Sequence, residues 1–166
     1  RNPMKISSVV LGTSLAAVSK KDDRNPLLRD GRALVANVAR VIPSDQHLYF
    51  YYEIYDPAQV PAAPAPPAGG QPGARPSTPP PAAAPQADRP IKVLSNVTFF
   101  RGGRKAYETP LIEVPVLTFA DRKAAAFQLD IPASELQPGL YTCQVNIVDD
   151  IAGTFAFPRM TLYIRK

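Results

Sequence analysis

The two residue types best suited to nucleophilic or metal chemistry occur once each in this chain, as Cys143 and His47. A cysteine nucleophile needs a depressed pKa, partial exposure and a neighbouring base. Cys143 sits in the alternation Tyr141, Cys143, Val145, Ile147, which shares one strand face against Thr142, Gln144 and Asn146. That pattern predicts a thiol buried in a core, while His47 precedes a different strand beside a Ser44-Asp45 turn. One histidine also excludes the usual multi-histidine zinc sites. The pairs Asp22-Asp23 and Asp149-Asp150 lie in loop-type sequence. Calcium takes about six oxygen ligands or more, and no spaced Asp-x-Asp-x-Asp loop is present. Asp149-Asp150 and Gly153 read instead as a turn before the last strand. Gly69-Gly70 and Gly102-Gly103 lack the strand, loop and helix that a phosphate cradle requires. The expectation is a chain that is not an enzyme and takes neither cofactor nor metal.

The remaining candidates concern binding and modification. Tyr49, Tyr51 and Tyr55 form a stripe along one strand face, either a ligand surface or a face covered by the domain itself. Pro79, Pro80 and Pro81 lie in a proline tract that can stack on tyrosine, and Ser77 and Thr78 beside them are candidate O-glycan acceptors. Asn96-Val97-Thr98 matches an N-glycosylation sequon inside a strand pattern. Ile6, Val9 and Leu11 make the first strand apolar enough to serve in assembly.

These residues are set by short segments, alternating or rich in aromatics, that are broken by Gly, Pro, Asn and Asp; helical periodicity is nearly absent. Strands are predicted over Lys5–Leu11, Leu34–Ile42, Leu48–Tyr55, Lys92–Arg101, Arg104–Thr109, Glu113–Phe119, Ala125–Ile131, Tyr141–Ile147 and Phe155–Ile164. Leu48–Tyr55 is apolar on both faces and should be central and covered on both sides. Gly102-Gly103 suits a two-residue hairpin, because such turns need positive φ. Pro115 puts its strand at an edge or bulge. A helical turn is predicted over Ala133–Leu136, and a turn or short helix within Thr13–Leu28. Leu136 to Tyr141, with its Pro138-Gly139 turn, resembles the tyrosine corner of immunoglobulin-like sandwiches.

The chain's 166 residues, 45% of them hydrophobic, fit one domain over 1–166. Twelve of the 20 prolines lie between Pro57 and Pro90, so 58–90 reads as a Pro/Ala/Gly-rich insertion between two strands rather than a second domain. The net charge of +5 is scattered, with no basic stripe interleaved with stacking residues, which argues against nucleic acid. No apolar run has the length of a membrane-spanning helix, so no membrane insertion is expected. The opening Arg1-Asn2-Pro3 reads as the start of a fragment from a longer precursor. The fold class expected is all-β, an immunoglobulin-like or fibronectin-like β-sandwich with a long inserted loop.

Several motifs together resemble a known group. They are Lys5-Ile6-Ser7-Ser8-Val9-Val10-Leu11-Gly12, Asn25-Pro26-Leu27-Leu28-Arg29-Asp30-Gly31, Tyr55-Asp56-Pro57, Phe99-Phe100-Arg101-Gly102-Gly103 and Pro138-Gly139-Leu140-Tyr141, followed by the stretch from Asp149 to Phe157-Pro158-Arg159. The combination is similar to the C-terminal region of acidobacterial von Willebrand factor A-related domain proteins and spans nearly the whole chain. The resemblance implies an exported precursor with a separate von Willebrand A-like domain, and a Pro/Ala-rich insertion of variable length after the aromatic strand. It carries no catalytic or metal-binding residue onto this chain. The function expected is a non-catalytic adhesion or protein-interaction module, secreted or at the cell surface, whose partners are other extracellular or cell-envelope proteins. The alternative is a structural subunit whose partner is itself, polymerising by exchange of the N-terminal strand or the proline-rich loop.

Overall fold

The computed structural model describes residues 3–18, 25, 27–29, 31–61 and 89–166. Alternation dominates the sequence, and strands dominate the fold. In chain order they are β1 (Lys5–Ile6), β2 (Val10–Ala17), β3 (Leu28–Arg29), β4 (Arg32–Ala36), β5 (Val41–Pro43), β6 (His47–Tyr55) and β7 (Val93–Arg101). There follow β8 (Arg104–Glu108), β9 (Ile112–Val114), β10 (Ala124–Pro132), β11 (Gly139–Asp149), β12 (Thr154–Ala156) and β13 (Arg159–Arg165). They build two sheets packed face to face as a β-sandwich. In the first sheet β6 is central: β10 pairs along its whole length, β1 and β2 share its other side, and β4 and β3 continue outward from β2. In the second sheet the order is β5, β13 with β12, β11, β7, then β8 with β9. Among the described residues every pairing is antiparallel except β5 with β13.

The core is the sum of the inward faces. Phe50, Tyr52 and Ile54 of β6 and Phe127, Leu129 and Ile131 of β10 meet Val97 and Phe99 of β7 and Tyr141, Cys143, Val145 and Ile147 of β11. Tyr52 stacks on Phe127 at 5.3 Å, and Phe50 meets Phe99 edge-on at 6.0 Å. The Gly102-Gly103 hairpin forms as expected, with φ of 55° and 79°. The Tyr141 hydroxyl donates to the Gln137 carbonyl at 2.8 Å, closing the corner before β11. A 3-10 turn occupies Ala133–Glu135.

Five element expectations are corrected; Phe155–Ile164, for one, divides at Phe157-Pro158 into β12 and β13. Lys5–Leu11 is interrupted, because Ile6 pairs Ile54 while Val10 pairs Tyr51, leaving Ser7 to Val9 opposite only Tyr52 and Glu53. The Ser7 amide donates to the Glu53 carbonyl, and the Ser7 hydroxyl accepts from the Glu53 amide. This bulge lets Ile6 and Leu11, an odd number of residues apart, both face the core. Thr13–Ala17 is neither turn nor helix but the rest of β2, paired with β4.

Leu34–Ile42 is two strands in different sheets, separated where Arg40 takes φ 55° and Asn37 bonds both the Arg40 amide and the Val41 carbonyl. Of the Glu113–Phe119 segment only Glu113 and Val114 lie in a full strand, β9. Beyond Pro115 the chain crosses to the first sheet, where Phe119 bridges Ala124.

Candidate functional site

The outer face of β6 is where the sequence put a tyrosine stripe, and the chain covers most of it. Tyr51 is buried with Leu34 and Ala126, and Val10, Leu15, Leu27, Tyr49 and Phe119 pack around them. Glu53, beside it, is only 2% exposed. Arg122 donates to both Glu53 carboxylate oxygens at 2.7 and 3.1 Å while lying 3.6 Å above the Phe119 ring, and the Tyr51 hydroxyl donates to Glu53 Oε1. Burial pushes the carboxyl pKa up, but hydrogen bonds from Arg122, Tyr51 and Tyr55 outweigh it and hold Glu53 below its ordinary 4.5. Desolvation, then the bond to Glu53, drives Tyr51 well above its ordinary value. This is a closed ion pair under a second small core. Only Tyr49 and Tyr55 remain half-exposed.

The N-terminal candidates are also engaged within the chain. Leu11 belongs to the main core, and Ile6 and Val9 pack against it. Cys143 is fully buried in β11, and burial pushes its thiol up to about 12, far from a reactive thiolate. His47 stands in the other sheet, where its Nδ1 meets Asp130 Oδ1 at 2.6 Å. Asp149 is buried at the end of β11 and accepts from the Ala58 and Ala152 amides, so it fixes the base of the insertion and the turn into β12. The insertion's ends close on each other through a Gln59–Ile91 bridge and the Val60 amide bonded to the Pro90 carbonyl. Pro79, Pro80, Pro81, Ser77, Thr78, Asp22 and Asp23 lie outside the described residues.

The surface that sequence reasoning passed over is the outer face of the second sheet. Its register reads in rows. At one end Leu94 of β7, Val148 of β11 and Phe155 of β12 stand side by side, and Phe155 stacks on Phe157 at 5.4 Å. Phe155 is 66% exposed and Phe157 48%. At the other end Leu140, Tyr163 and Val41 line up across β11, β13 and β5, with Leu140 62% exposed.

Between these apolar rows runs a chain of side-chain hydrogen bonds. Arg159 donates to Gln144, Gln144 to Asn146, and Asn146 to both Asn96 and Thr98. Asn96 and Thr98 donate in turn to Glu108, which also pairs with Lys105. The sequon's Asn96 amide is therefore occupied within this network. Across this face six polar side chains or more hold one another, and large apolar groups stand exposed on either side. The signal for it was the alternation Phe155-Ala156-Phe157, which puts both rings on one side of a strand. No family model and no curated protein matches the chain.

Proposed function

We propose that the chain is a non-catalytic, extracellular protein-interaction module, with a β-sandwich of immunoglobulin-like or fibronectin-like type. The observation that carries this reading is the pair of exposed apolar rows flanking the polar network on the second sheet, above all Phe155 stacked on Phe157. Exposed aromatic side chains grouped beside polar ones are the composition of a protein-binding patch. Three features support the immunoglobulin-like type. β6 and β10 share one sheet while β7, β11 and β13 share the other. β5 runs parallel to the last strand. A tyrosine corner precedes β11, with Cys143 two residues after the tyrosine. Export, and kinship with the C-terminal region of von Willebrand factor A-related proteins, belong to the same proposal and rest on the motifs quoted from the sequence.

The test is chemical cross-linking of the purified chain to cell-envelope protein from its source, with the Phe155→Ser/Phe157→Ser double variant alongside. The variant is expected to fold normally, because both rings are exposed, and to lose the cross-linked product, since aromatic anchors carry about 2 kcal/mol or more each in such patches. A product of equal yield from both proteins would remove the second sheet's outer face from the reading.

A further inference from the structure

The open side of β10 points to a second site of a different kind. In an antiparallel strand the amide and carbonyl of one residue face the same side, and successive residues alternate. Ala124 of β10 bonds outward, to Thr118 and Phe119, and the Ala126 amide bonds outward to the Thr118 hydroxyl. By alternation Gln128 and Asp130 also face outward, away from β6. Among the described residues nothing pairs with their amides and carbonyls or with the Ala126 carbonyl. That is a row of five backbone groups without partners among the described residues.

Beside this edge a cavity of about 160 Å³ opens between the two sheets. Its floor is Leu129 and Ile131, and its far wall is Tyr107, Thr109, Pro110 and Ile112 of the second sheet. Thr109, Gln128 and Asp130 add polar groups to its apolar lining, and a volume of ~150 Å³ accepts a benzene-sized side chain. The one charged group lining it among the described residues is Asp130, whose Oδ1 also meets His47 Nδ1 and whose carboxylate is half-exposed.

We propose that this edge binds an extended peptide segment of a partner protein by strand addition. Such a peptide alternates apolar residues, which enter the cavity over Leu129 and Ile131, with outward residues that include a lysine or arginine opposite Asp130. The backbone row supplies the register, the cavity selects the inward side chains, and Asp130 selects the charge. A second copy's β10 is a poorer occupant. Its own inward residues, Leu129 and Ile131, are committed to its own core, so the cavity would stay empty. The inference stands apart from the outer face of the second sheet and uses none of its residues.

The experiment is selection of a phage-displayed library of random dodecapeptides on the purified chain, followed by fluorescence anisotropy of the enriched peptide carrying fluorescein. Gln128→Pro removes one outward amide at an edge position where proline is tolerated. It is expected to weaken the peptide at least tenfold, while Phe155→Ser leaves binding unchanged. If Gln128→Pro does not fold, Ile112→Lys on the opposite wall takes its place with the same expected loss. Failure to enrich any peptide overturns the proposal, as does an enriched peptide indifferent to both variants. So does a dimer in light scattering that Gln128→Pro dissolves, because the edge would then belong to a second copy.

Discussion

A β-carbon placed on Gly12 would stand 2.4 Å from Leu34 Cδ1 and 2.7 Å from the Val35 carbonyl oxygen. The side chain can move aside, but the backbone of β4 cannot do so without shifting its pairing with β2. Gly12→Ala is therefore expected to cost about 1–3 kcal/mol, read as a lower denaturant midpoint at unchanged slope. A midpoint equal to that of the wild type would show that β4 yields freely. Arg122 and Glu53 set the second residue-scale expectation. Arg122→Ala leaves the Glu53 carboxylate, 2% exposed, with tyrosine hydrogen bonds but no counter-charge, at a cost on the order of 3 kcal/mol near neutral pH. The folded state holds Glu53 below its ordinary 4.5. The stabilisation is therefore fully present above 4.5 and is lost as pH falls through the folded value. The melting gap between wild type and Arg122→Ala should accordingly narrow as pH drops below 4.5. A gap that stays constant down the titration would mean the ion pair contributes nothing.

Between elements, the two sheets are tied by a hydroxyl relay. Ser95 on β7 donates to the Asn146 carbonyl on β11 at 2.6 Å, which leaves its oxygen to accept from the Tyr52 hydroxyl on β6, also at 2.6 Å. Tyr52 and Ser95 are both fully buried. Ser95→Ala strands the Tyr52 hydroxyl in the core, at a cost of about 1–3 kcal/mol, whereas Tyr52→Phe leaves Ser95 still bonded to Asn146. Ser95→Ala is thus expected to be the more damaging of the two, as measured by urea denaturation. The reverse order would mean that the Tyr52 hydroxyl finds another partner when Ser95 is gone. At the same scale the β2–β4 pair buries Leu34 against Tyr51 and thereby closes the outer side of β6.

For the molecule as a whole, the question is whether copies exchange strands. β1 and β2 already complete the first sheet of their own chain, and Leu11 fills its core. Removing residues 1–12 is expected to lower the melting temperature, since a buried leucine alone is worth about 2 kcal/mol or more. A truncated chain that melts with the wild type would mean the N-terminal strand is free for a neighbour. Light scattering over a concentration series, paired with electron microscopy, is expected to give a monomer. Ordered fibres would make the chain a structural subunit and replace the interaction-module reading.

The sequence by itself determined what depends on neighbours along the chain. Phe50, Tyr52 and Ile54 alternate with Tyr49, Tyr51 and Glu53, so a strand covered on both faces was legible, as were the Gly102-Gly103 hairpin, the Tyr141 corner and the buried Cys143. Period-two alternation fixes which side chains share a face without reference to any partner. Only the tertiary structure decided which strand meets which. It carried Leu34 and Ile42 to different sheets, moved Ile6 and Leu11 onto one face through a bulge, and brought Arg122 onto Glu53 across 69 residues of sequence. It also aligned Leu94, Val148 and Phe155 from three strands into one row and, among the described residues, left the outer side of β10 unpaired at Gln128 and Asp130. Those outcomes depend on cross-strand register and on the order of strands in a sheet, which are set by the packing of the whole core and leave no periodic trace in any single segment.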